Sequence, residues 1–291
     1  MKLAASAVIT IAIGACGGDE PGVPLAPPIA QIPATLSRLA INDTSMFSID
    51  LDAGELIELG LDGSSIGTLP TAGEVTELAA HGDLVAWVEI EGTGTVIKRR
   101  RGANPIESHR TFDAHLIANA DGLFFSDLGL IAAWPEGVPQ RIATPIDTTA
   151  SPRLLDVDSS FAYVAQDAGA VIKYTRDSDI SEVQLETSEA ATVKAGQLAY
   201  RAPDGIRMRD LFSGFDRVVG FVPASYACEL LIVEQAVMCN RFRVLQGNAA
   251  ELLVDPVVGY AAVGREVYWI TSADGISEIR VTDAESIAEG E

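Results

Sequence analysis

The sequence predicts an all-β fold: a seven-bladed β-propeller of four-stranded antiparallel blades, with six or eight blades as the alternatives. Three observations lead there. Helical periodicity is hard to find after residue 30, where short runs of Val, Ile, Leu and aromatics are separated by Gly, Asp and Pro, the pattern of strands and tight turns. A unit recurs: "HGDLVAWVEIEGTGTVIKRR" (81–100) and "DSSFAYVAQDAGAVIKYTR" (158–176) share a turn, an apolar strand with an aromatic, a Gly-containing turn and then Val-Ile-Lys. Taking Phe47, Trp87, Phe125, Tyr163, Tyr200, Cys239 and Trp269 as equivalent gives spacings of 40, 38, 38, 37, 39 and 30, the length of one four-stranded blade each.

The elements follow in chain order. Residues 1–15 carry one basic residue, Lys2, and then an apolar and small-residue run from Leu3 to Ala15. That run is short of the ~20 residues a spanning helix needs and fits the apolar region of a secretory signal peptide. Residues 16–28, beginning Cys-Gly-Gly-Asp-Glu-Pro, have no hydrophobic pattern and read as a Gly/Pro-rich tether. The propeller domain is expected over 29–291. Its first copy is "NDTSMFSIDLDAGELIEL", and weaker copies are "ADGLFFSDLGLIAAW", "AGQLAYRAPDGIRMR", "EQAVMCNRFRVL" and "GREVYWITSADGISEIRV". The last copy lacks a fourth strand. "PIAQIPATLSRLAIN" aligns with "PQRIATPIDTTASPRLLDV", which spans a fourth strand and the next first strand, so residues 29–33 are expected to close the ring as the outer strand of the final blade. The repeated aromatic is read as blade-to-blade packing.

Two resemblances add to this. Ile13-Gly14-Ala15-Cys16 resembles the bacterial lipobox, with Ile where Leu is commoner. The resemblance implies cleavage before Cys16, acylation of that residue and a stable membrane anchor. Gly17 stands where an inner-membrane retention signal would place Asp, so the resemblance favours the outer membrane over the inner. Val267-Tyr268-Trp269-Ile270-Thr271 resembles a YWTD-type blade with Ile270 inserted, and the whole domain is similar to the irregular TolB-like or YWTD-like propellers of envelope lipoproteins. That similarity implies a binding platform rather than a specified activity.

Composition narrows the partners. Lys+Arg number 20 against 41 Asp+Glu, and removing residues 1–15 takes away Lys2 alone, moving the net charge from −21 to −22. Such a charge argues against nucleic acid, whose binding rests on phosphate neutralisation. It suits cations or basic partners. If Val233 and Glu234 centre a hairpin, Cys228 and Cys239 face each other, and export to an oxidising compartment makes a disulfide the expected state.

No HExxH, Gly-rich phosphate loop or GxSxG is present. His81 falls in a first-to-second-strand turn. His109 and His115 flank a connection between blades; all three read as surface loop residues. The turns between second and third strands carry Asp52, Glu91, Asp127, Asp167, Asp204 and Asp274, which on one propeller face could bind calcium or a basic partner. The competing reading is that Asp before Gly is simply what such turns prefer. Asp113, Asp147, Glu189 and Asp255 lie near connections that could line a central channel. Lys98-Arg99-Arg100-Arg101 reads as a solvated edge, or as a docking point for an acidic partner or lipid phosphate. The functional expectation is a lipid-anchored extracytoplasmic propeller that binds or scaffolds another envelope component without catalysis or cofactor. The alternatives are a calcium-dependent hydrolase or lactonase, or a small-ligand sensor with its pocket at the channel mouth.

Overall fold

The computed structural model describes residues 27–284, apart from 113, 128, 144–151, 167–168, 179, 224–227, 241, 246–247 and 252–256. Seven four-stranded antiparallel sheets follow one another along the chain, and no helix occurs among the described residues. Blade 1 opens at Leu36–Ile41, blade 2 at Glu74–His81, blade 3 at His115–Asn119, blade 4 at Arg153–Val157, blade 5 at Ala191–Lys194, blade 6 at Leu230–Val233 and blade 7 at Val257–Val263. Each is a meander in sequence order except the last. There the fourth strand is Ala30–Ile32, antiparallel to Ile276–Asp283 with Ala30 opposite Ile279 and Ile32 opposite Ser277. The expected closure is present, and it leaves no open edge between the first and last blades.

The core lies between blades. Phe47, Ile49 and Leu56 of blade 1 pack on Val85 and Trp87 of blade 2, and Ala86, Val88 and Ile97 on the other side of blade 2 pack on Leu116 and Phe125 of blade 3. This is the period-2 alternation of strands buried on both faces. All seven repeat residues are buried between blades in second strands. Their orientation is less uniform than their spacing. Trp87, Phe125, Tyr200, Cys239 and Trp269 face the preceding blade, whereas Phe47 and Tyr163 face the following one. A one-residue offset turns a side chain to the other face of its sheet, and spacing alone does not detect it.

The meander sorts the loops onto two faces. Blade-to-blade connections and second-to-third-strand turns share one face, called upper below. First-to-second and third-to-fourth turns share the lower face.

The basic run corrects the expectation of a solvated edge. All four residues belong to the third strand of blade 2, Gly94–Arg101, and alternate between its two sides. Arg100 reaches back to Glu58 of blade 1 at 2.6 Å. Arg99, 5% exposed, reaches forward to the Trp134 carbonyl of blade 3 and lies 4.3 Å over that indole ring. Glu107 meets Arg99 at 2.7 Å and Asp83 meets Arg101 at 2.9 Å. The run staples blade 2 to both neighbours.

Candidate functional site: the upper face

The upper face carries the turns expected to hold carboxylates, and the structure shows what those groups touch. Asp52 Oδ2 accepts the Thr35 amide at 3.0 Å, tying the segment that enters blade 1 to the turn beside it. Asp127 Oδ1 accepts the Phe112 amide at 3.1 Å, Asp204 meets Arg207 at 2.5 Å, and Glu91 meets Lys98 at 2.8 Å. The hydrogen bond from Lys98 holds the Glu91 carboxyl below its ordinary range. Asp274 occupies the left-handed region at φ 54° in its turn. Asp167 lies outside the described residues, as do Cys16, Asp113, Asp147 and Asp255. The turns share a face as expected, but among the described residues no three His, Cys, Asp or Glu side chains come together in a way that could hold a metal ion.

Around the central channel, side chains of the first strands link blades 2 to 6 in succession. His115 Nδ1 of blade 3 stands 3.2 Å from Glu77 Oε1 of blade 2, and Asn119 donates to the Val157 carbonyl of blade 4 at 2.6 Å. Arg153 of blade 4 donates to the Ala191 carbonyl of blade 5 at 2.7 Å, and Lys194 to the Ile232 carbonyl of blade 6 at 3.2 Å. The histidines are therefore not loop residues. His81 ends the first strand of blade 2. His109, in a fourth strand, packs its ring 5.8 Å from both Phe125 and Trp134. Periodicity gave no means of telling a strand histidine from a turn histidine here.

Sequence reasoning missed two cavities on the upper face over blades 4 to 6. One, of about 340 Å³, is bounded by Tyr200, Arg201, Phe221 and the 187–189 connection. Its neighbour, of about 430 Å³, is bounded by Arg153, Gln166, Gly169 and Glu229, and the two share Ser188 and Glu189. Glu189, anticipated near the channel, thus stands on the wall between them. The polar side chains here hold the walls. Arg201 donates to the Pro223 carbonyl at 2.7 Å, with Glu189 3.7 Å from its Nε. The Ser188 hydroxyl lies 2.6 Å from the Ala190 carbonyl and 2.9 Å from the Arg201 carbonyl.

Beneath Tyr200 is a compact charged network. The Tyr200 hydroxyl donates to Asp216 at 2.6 Å, and Asp216 also accepts from Arg207 at 3.0 Å and Arg209 at 2.8 Å. Burial works to raise the Asp216 carboxyl, but the hydrogen bonds from Tyr200, Arg209 and Arg207 outweigh it and hold it below its ordinary value. Burial and the Asp216 charge push the Tyr200 hydroxyl up.

Cys228 and Cys239 stand at disulfide distance with Cα atoms 4.9 Å apart, beside these cavities. The hairpin is centred one residue later than expected, on Glu234 and Gln235, so Leu230 rather than Cys228 is opposite Cys239. The pair bridges diagonally.

No protein-family model and no curated protein matches the chain. Solved structures do match its fold. Virginiamycin B lyase from Staphylococcus aureus superposes with a TM-score of 0.64 at 12% identity, over 87% of this chain and 99% of that one. BamB from Moraxella catarrhalis gives 0.52 at 16% identity, over 84% and 82%. The structure of BBS1N in complex with ARL6DN gives 0.56 at 14% identity, over 89% and 97%. The chain is a seven-bladed β-propeller, and at these identities the likeness is one of fold.

Proposed function

We propose that this chain is a lipid-anchored envelope propeller that binds or scaffolds another extracytoplasmic component through its upper face. The anchor rests on the lipobox-like Ile13-Gly14-Ala15-Cys16, and the binding role on the cavities over blades 4 to 6. The observation that carries the binding role is how the cavity side chains are used. Ser188, Tyr200 and Arg201 spend hydrogen bonds on carbonyls and on Asp216 rather than forming a nucleophile with its base. Shaped walls with engaged polar groups suit recognition. The neighbouring folds include a lyase and a propeller structure solved in a protein complex, so the fold is compatible with either use.

A second reading, a sensor of a small extracellular ligand, is favoured by the volume of the same cavities. Photo-crosslinking separates the two. A photoreactive residue replacing Phe221, compared with one replacing Asp62 on the lower face, is expected to trap one defined envelope protein from Phe221 alone. Equal or absent capture at both positions contradicts the scaffolding role.

A further inference from the structure

We infer that the lower face rests on the surface of the lipid bilayer, with the tips of its third-to-fourth-strand hairpins in the interfacial layer. Four consecutive blades present an exposed apolar side chain at this one position. Blade 2 shows Ile106, blade 3 Val138 (75% exposed), blade 4 Ile180 (65%) and blade 5 Phe212 (76%) with Phe215 (66%). Turn tips usually carry polar residues; Leu51, Ile90, Leu130 and Ile276 are also exposed at upper-face turns, so the side on which the chain enters, not exposure alone, decides between the two faces. The Phe212 ring lies over the neighbouring turn at Gly196, where a Cβ would stand 2.3 Å from the ring, so glycine there allows this placement.

The path of the chain names the occupant. The strand Ala30–Ile32 runs toward the upper face, because Ile32 pairs with Ser277 near the upper turn and Ala30 with Ile279 farther down. The described chain therefore enters blade 7 from the lower side. Ala30 lies fourteen positions after Cys16, a span of at most about 50 Å. An anchor at Cys16 holds the lower face within reach of the membrane, so contacts too weak to bind lipid from solution act at high effective concentration. Blade 7 lies across the ring from blades 3 and 4, so the anchor and the rim support opposite sides of the same face. Its charges select the lipid: Asp62, Asp121, Glu136 and Asp158 outnumber Arg176 and Arg265 on the lower turns, where Arg101 is paired with Asp83, a surface for zwitterionic rather than anionic headgroups. The inference rests on the lipid-anchored reading, but its test does not.

The test couples the chain from residue 16 onward, with Cys228 and Cys239 oxidised, through the Cys16 thiol to a maleimide phospholipid in phosphatidylcholine vesicles containing doxyl-labelled lipid. Trp87, Trp134 and Trp269 are buried, so F212W, V138W and L51W each introduce a reporter. Loss of emission from F212W and V138W, weaker in phosphatidylglycerol vesicles and absent from L51W on the upper face, is the expected result. Quenching of L51W instead, or of none, overturns the inference; the second outcome leaves the rim to a protein partner. If native Cys16 proves unacylated, the anchored reading fails while the vesicle result stands.

Discussion

Lys98 Nζ lies 2.7 Å from Glu89 Oε2 inside blade 2, and the Glu89 side chain is fully buried. Glu89 also accepts the Trp87 indole N–H at 2.5 Å and the Ala72 amide at 2.8 Å, so one carboxylate joins a core aromatic, the incoming connection and the basic run. Burial alone would lower the Lys98 ammonium pKa. Its hydrogen bonds to Glu89 and Glu91 outweigh that and raise it. Removing the lysine leaves a buried carboxylate short of its counter-charge. K98M should cost about 3–5 kcal/mol in urea unfolding, and E89Q with K98M should recover part of it. Equal loss in the single and double variants would show that the two charges are not coupled.

The Tyr200–Asp216–Arg209 network makes stability depend on acidity. The Asp216 pKa is depressed in the fold, so its contribution is present above the unfolded-state value near 3.8 and disappears as the pH falls through the folded value. D216N should lose about 2 kcal/mol at neutral pH. Its deficit relative to the parent should shrink below roughly pH 4. A deficit independent of pH would mean that packing, not charge, accounts for the loss.

Cys228 and Cys239 are 11 residues apart, and closing so short a loop should contribute about 2–4 kcal/mol. The double change C228S with C239S should lower the unfolding temperature while leaving the blade's far-UV signature intact. Alkylation of denatured, unreduced protein tests the bond itself: neither cysteine should react, and modification of both would exclude the bridge.

Upper-face carboxylates are engaged with Thr35, Phe112, Arg207 and Lys98. Thermal unfolding of the unlipidated protein should therefore be the same in calcium as in excess chelator. Any ion held by the native state alone would raise the midpoint in a saturable way. Such a shift would restore the calcium-dependent alternative.

Blade number, the strand that closes the ring and the burial of Trp87 or Trp269 could all be read from the sequence, because each depends on a spacing that repeats. The phase of Phe47 and Tyr163 could not. Register shifts in the first strands do not account for it, since blades 2 and 7 carry them as blades 1 and 4 do, while Trp87 and Trp269 keep the common orientation. The basic run misled for a related reason: four charges in a row suggest solvent, yet in a strand they alternate, and Arg99 enters the interface with blade 3. The upper turns were placed on the right face, but the cavities around Ser188 and Glu189 arise from connections of three blades and leave no local signal. The apolar hairpin tips did leave one, since Phe212 and Phe215 flank Ser-Gly in a turn.

The most direct measurement is mass spectrometry of the N-terminal peptide of the protein extracted from its native envelope. The expected result is a mature chain beginning at Cys16, with acyl groups on its sulfur and amine and residues 1–15 absent. A peptide retaining residues 1–15, or a Cys16 without lipid, would contradict the anchored reading.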